Sequence, residues 1–129
     1  MSNSQTTAVF VGGVEGANVP GAVATAPING IGTTYVAGTT PVLGGGLNLV
    51  NGQTGQTALA LPATWPLSAP IVVANVGAAA ALVFPGSATQ KINGAAAGTS
   101  YSVAVNKAVA FYYAGLDTSG VPQWVAVGA

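Results

Sequence analysis

The sequence predicts an all-β protein: a compact antiparallel β-sandwich or barrel preceded by an extended, loop-rich N-terminal arm. Three observations predict it. Beyond residue 54, short apolar runs recur with turn signals between them, at the spacing of a sandwich or barrel rather than of βαβ units. The 129 residues include 19 glycines and 8 prolines, too many helix breakers for long helices. Half of the residues are hydrophobic and only 3% are charged, against roughly 25% charged in ordinary globular chains, so a disordered chain is excluded.

The chain divides near residue 53. Residues 1–53 are rich in Gly, Thr, Asn and Pro, with short apolar runs at 8–11, 35–37 and 47–50. Turn signals crowd between these runs, at Gly12-Gly13, Pro20-Gly21, Asn29-Gly30, Gly44-Gly45-Gly46 and Asn51-Gly52. Runs this short supply edge strands at most. Isolated, they cannot offset their ordering entropy, so an arm that orders against neighbouring subunits is expected. Val9, Phe10 and Val11 are the candidates for docking on a partner or exchanging between subunits, because extended segments bind by adding a strand to a sheet edge.

Residues 54–129 are the expected core unit. Strands are predicted at 57–61, 70–76, 80–84, 101–105, 108–114 and 123–127, with turns at Pro85-Gly86, Asn93-Gly94, Asn106-Lys107 and Ser119-Gly120. Within "VVANVGAAAALVFPGS" the four alanines Ala78 to Ala81 favour helix, but their flanks are strand material. The Asn-Val-Gly step ahead of them predicts two strands that turn around residues 75–78, with the alanines a small surface suited to close packing. A helix over residues 78–83 would overturn the all-β assignment.

Alternation assigns the faces. Tyr101, Val103 and Val105 point one way, Ser102 and Ala104 the other. Val109, Phe111 and Tyr113 form a bulky face that fills the core. Ala108, Ala110 and Tyr112 form a smaller apolar face on which a second sheet or another subunit can pack closely. Asn106-Lys107 is expected to join these two strands as a tight hairpin. Trp65 and Trp124 are the heaviest side chains and are read as core or interface plugs, with a sugar- or base-stacking platform as the alternative. "INGIGTTYVAG" at residues 28–38 resembles "INGAAAGTSYSVAV" at 92–105, a single recurrence that does not establish a solenoid.

Little in the chain suits chemistry. There is no His, Arg or Cys, and the charged groups are Glu15, Lys91, Lys107 and Asp117. General acid–base catalysis wants His or paired carboxylates, so the chain is not expected to be an enzyme. Asp117, in "GLDTSGVP", reads as a turn residue whose carboxylate caps backbone N–H groups, and Glu15 as a solvated loop charge. A Ser–Lys pair would draw on Lys91 or Lys107, but no spacing selects that geometry; both read as exposed lysines that discourage edge pairing. No thiolate or imidazole is present for zinc, and no EF-hand spacing for calcium. "GGVEGANVPG" lacks the Lys and helix of a phosphate loop. Two lysines cannot neutralise a nucleic-acid backbone. No cofactor, metal or nucleic-acid partner is therefore expected.

The start "MSNSQTTAVFVGG" has no basic residue before an apolar core, so it does not read as a signal peptide and cytoplasmic synthesis is expected. The most apolar stretch, residues 69–84, is shorter than the roughly 20 residues a spanning helix needs and is broken by Asn75 and Gly77, so no membrane partner is expected. A weakly charged surface has little self-repulsion, which points to an assembled structural protein.

Residues 57–127 carry a family resemblance. Leu61-Pro62, Asn75 to Ala78, Val83 to Gly86, Ile92 to Ala95 and the near-terminal Gln123-Trp124 stand in the order seen in small all-β structural proteins of tailed bacteriophages. The similarity covers roughly the last 70 residues and leaves the arm uncovered. Its motifs are turns and strands, which specify architecture better than role. It implies a jelly-roll-like virion protein, commonly trimeric, of the capsid decoration (cement) or head-fibre type. The partners it implies are the major capsid protein and further copies of the chain, at the outer capsid surface of the virion. On that reading Trp65, Ala108, Ala110, Tyr112 and Trp124 are candidates for the subunit interface, and Val9, Phe10 and Val11 for the capsid contact. The alternative is a fibre module that binds host glycan through Trp65, Tyr112 or Trp124.

Overall fold

The computed structural model describes residues 26–128. Among them are nine strands and no helix: β1 (Ile28–Asn29), β2 (Gly46–Asn51), β3 (Ala58–Ala60), β4 (Pro70–Asn75), β5 (Ala81–Phe84), β6 (Lys91–Ile92), β7 (Tyr101–Val103), β8 (Ala108–Leu116) and β9 (Pro122–Gly128). All six strands expected beyond residue 54 form. The arm candidates Val9, Phe10 and Val11 lie outside the described residues.

Two sheets enclose the core. A six-stranded sheet in the order β1-β2-β4-β8-β9-β6 curls into a half-barrel, and a three-stranded sheet in the order β3-β5-β7 accompanies it. Ile71, Val73, Val109, Phe111 and Trp124 from the large sheet join Leu59, Val83 and Val103 from the small one in a single cluster, each 0–1% exposed. Val109 and Phe111 are buried and Tyr113 packs against the core cluster, so the bulky face of β8 fills the core as its alternation predicts.

The sheets are mixed rather than antiparallel. The pairs β1–β2, β2–β4, β3–β5 and β6–β9 are parallel; β4–β8, β5–β7 and β8–β9 are antiparallel. The cause is the path of the chain. From β2 to β8 successive strands fall alternately in the two sheets. β2 therefore meets β4, and β3 meets β5, only after an excursion through the opposite sheet, and each pair runs parallel. A parallel pair needs a long crossover, commonly a helix; here a strand of the other layer supplies it.

The same path corrects the expected hairpin at Asn106-Lys107. β7 and β8 lie in different sheets, and the turn between them is a corner. The Lys107 N–H donates to the Ala104 carbonyl at 3.2 Å, with Asn106 in the left-handed region at φ 61°, which Asn tolerates better than most residues. Among the described strands, only β8 and β9 follow one another in the chain and pair antiparallel; β1 and β2 are also consecutive, but they pair parallel.

The Ala78–Ala81 run forms no helix. It makes the corner from β4 to β5, ending in Ala81 as the first, fully buried residue of β5. Ala78 and Ala79 N–H groups both donate to the Gly52 carbonyl at 2.9 Å. The small side chains thus serve a turn more than a packing face.

No break in the sheet coincides with residue 53. β2 lies between β1 and β4, paired with β4 over five residues, and Leu43 and Val50 belong to the core. The run at 47–50 is too short to order alone, but as an interior strand it shares its ordering cost with neighbours on both sides. The two Ile-Asn-Gly segments begin β1 and end β6, the opposite edges of the same sheet, and each edge strand runs parallel to its neighbour.

Candidate interaction surface

The outward face of the half-barrel is built by strand alternation. In β2, β4, β8 and β9 every second residue turns to the core, which leaves the residues between them on the opposite side. Register aligns them in rows. Leu47, Val72, Ala110 and Val127 form one row; Leu49, Ala74 and Ala108 lie on one side of it, and Pro70, Tyr112 and Val125 on the other. Every one of these ten residues is uncharged, and Tyr112 alone carries a polar atom. Leu47 is 67% exposed and Val127 56%.

The relief follows the strand order. The central strands β4 and β8 carry the small residues Ala74, Ala108 and Ala110 together with Pro70, Val72 and Tyr112, while the flanking strands carry Leu47 and Leu49 on one side and Val125 and Val127 on the other. The edges are polar. At the β1 edge, Asn51 Nδ2 donates to Asn29 Oδ1 at 2.8 Å. At the β6 edge, Lys91 pairs with Gln123 in register and its Nζ lies 2.6 Å from Asp117 Oδ2. An apolar centre with a polar rim is the anatomy of a protein interface.

Asp117 is the turn cap that its sequence context predicts, and more. Its Oδ1 accepts from the Ser119 and Val121 N–H groups at 2.8 and 2.9 Å. The hydrogen bond from Lys91, followed by that from the Val121 backbone, holds its carboxyl at about 2, below the usual 3.8. Lys91 is thus tied down rather than a free edge lysine. Lys107 is exposed at the β7–β8 corner.

The predicted site residues divide among three places. Ala108, Ala110 and Tyr112 lie together on the outer face. Trp65 stands apart, half-buried against the core, with its indole N–H donating to the Ala69 carbonyl at 2.8 Å. Trp124 is 0% exposed inside its own chain. It has no surface to offer a partner or a sugar, because its position in β9 turns it to the core, where Tyr113 meets it edge-on at 5.4 Å. The exposed Leu47, Leu49, Val125 and Val127, with Pro70, Val72 and Ala74 of β4, complete the face and are missing from the sequence-based candidates. The alternation of the first four with Asn48, Val50, Trp124 and Ala126 is the signal that could have found them.

Two buried amides hold the layers behind this face. Asn75, 1% exposed, accepts at Oδ1 from the Gly52 and Gly77 N–H groups and donates from Nδ2 to the Ala79 and Val103 carbonyls. Gln90, 5% exposed, accepts at Oε1 from Trp124 Nε1 and the Gly86 N–H and donates to the Ala63 carbonyl. Each joins segments far apart in the chain, which local sequence patterns do not reveal.

On the small-sheet side, Tyr35 and Phe84 stand 6.3 Å apart, tilted by 38°, and with Pro85, Ser87, Ala88 and Gly98 line a cleft of about 220 Å³.

No protein-family model, curated protein or solved structure matches this chain.

Proposed function

We propose that the chain is a structural virion protein, a capsid decoration protein that binds the outer surface of a phage head at junctions between major capsid proteins. The observation that carries this reading is the ten-residue uncharged face of the half-barrel. Contiguous apolar patches of a few hundred Å² mark interaction sites on soluble proteins. With few charges to steer a partner, recognition rests on shape and apolar burial, the mode suited to static assembly. The protein would act as a homo-oligomer, for which the phage resemblance implies a trimer, with the arm and its Val9, Phe10 and Val11 reaching the capsid. Repeated crossing between two sheets supports a jelly-roll-like plan, here with parallel pairings.

The test is binding to expanded, DNA-free heads assembled from a major capsid protein of the same genome; a genome without one removes the reading. Saturable, stoichiometric binding that weakens when residues 1–12 are deleted is the expected result. Absence of binding at saturating concentration would sink the reading, and full affinity after the deletion would remove the arm from it.

The aromatic cleft favours a second reading, a fibre module that binds a neutral glycan. Trp124 cannot contribute to it. Tyr35 and Phe84 offer ring faces and Ser87 a hydroxyl. Glycan-array binding that is lost in Tyr35→Ala, with the fold intact, would favour this module over decoration.

A further inference from the structure

We propose that the outer face of the six-stranded sheet is covered by the same face of a second copy, about a two-fold axis that runs along the strands between β4 and β8. The inference rests on reading this face as an assembly surface and names its occupant.

Shape argues for self-pairing. Two curled sheets set back to back approach at their crests and diverge at their flanks. At one end of the face the central strands carry Ala74, Ala108 and Ala110, which permit close approach, and toward the other Pro70, Val72 and Tyr112, which hold the copies further apart. The flanking strands carry Leu47 and Val127, which fill the widening gap. The stated axis sets β2 of one copy over β9 of the other, so Leu47 faces Val127 twice. It also sets β8 over β4, so each Tyr112 faces the other copy's Pro70, its partner in register within one chain.

Charge argues the same way. A face that meets itself across a two-fold brings like charges together wherever it carries any, and this one carries none in its centre. An axis along the strands puts the two Lys91–Asp117 pairs at opposite edges of the dimer, whereas an axis across the strands would put both at one edge.

Area sets the strength. Four strands at about 4.8 Å spacing and about five residues in length cover roughly 300 Å² of sheet per copy, or about 600 Å² across the pair. That is below the roughly 1,000 Å² of a stable specific interface, so the dimer is weak and reversible and forms at high concentration. Because an isologous contact closes after two subunits, the pair also differs from the trimer implied by the resemblance.

Sedimentation of the full chain across a concentration series tests this. The expected result is a mass that rises from one chain to two and stops there. Val127→Lys and Ala108→Glu, both at exposed positions, should hold the protein monomeric while thermal melting stays unchanged. A mixture of Leu47→Cys and Val127→Cys chains, in a protein with no other cysteine, should be joined by a bismaleimide of about 10 Å, the usual distance between packed sheets. Either chain alone should not be joined. A chain that stays monomeric up to its solubility limit, a trimer, or a dimer indifferent to Val127→Lys overturns the proposal. Head binding is scored separately: a monomeric Val127→Lys that still saturates heads leaves decoration standing, and a dimer that ignores heads leaves the dimer standing.

Discussion

The indole N–H of Trp124 donates to Oε1 of Gln90 at 3.0 Å inside the core, and the same oxygen accepts from the Gly86 backbone while Nε2 donates to Ala63. One amide thereby joins β9, the turn after β5 and the loop after β3. Gln90→Ala strands the Trp124 donor in an apolar interior. It should cost about 2–4 kcal/mol, read as a lower urea midpoint with an unchanged slope.

Asn75→Asp keeps the shape of the second buried amide but replaces two N–H donors with an oxygen facing the Ala79 and Val103 carbonyls. An ionised carboxylate there is opposed by both carbonyls, so this variant should lose about 3 kcal/mol or more at neutral pH. The surroundings favour the protonated acid, which raises the folded-state pKa. The variant should therefore recover part of its stability as pH falls toward 4, and urea midpoints across that range check the sign.

Gly52 and Gly77 meet backbone to backbone at the β4–β5 corner. A Cβ on Gly77 would stand 2.2 Å from the Gly52 oxygen and 2.4 Å from its nitrogen. Neither atom can move aside as a side-chain tip could. Gly77→Ala should destabilise by about 2–4 kcal/mol. Gly44→Ala, which meets nothing within 4 Å, should stay within about 0.5 kcal/mol of the parent. Paired thermal melts of the two variants make the comparison.

The Lys91–Asp117 contact sets an acid limb. Asp117 titrates at about 2 in the fold against 3.8 unfolded. A depressed folded value means that its contribution is fully present above the unfolded value and is lost as pH falls from about 4 to about 2. Stability should decline through that window. In Asp117→Asn the decline should flatten, because the carboxylate that Lys91 holds is no longer there to take up a proton in this window.

Strand positions were legible because alternation is local: the run from Val109 to Tyr113 shows its core face without reference to any other strand. Pairing was not. The assumption that neighbouring strands form hairpins fails at Asn106-Lys107, because a turn motif fixes a reversal of the chain but not which sheet receives the next strand. β1 and β6 have two residues each, too few to show a period. Leu47-Asn48-Leu49-Val50 alternates, but its glycine-rich surroundings suggest a loop, and its partner β4 lies more than twenty residues away. The candidate face was half legible. Ala108, Ala110 and Tyr112 follow from β8 alone, while the valines and leucines beside them need the strand order β2-β4-β8-β9.

The alternating path of the chain bears on how the molecule comes apart. A meander can be peeled from one end, strand by strand, while the rest of its sheet stands. Here the stretch from β2 to β8 is laced through both layers, so drawing out any one strand opens the other layer at the next step. Tension applied at the two ends is shared by both sheets at once, as it is between the two faces of a seam stitched through and through.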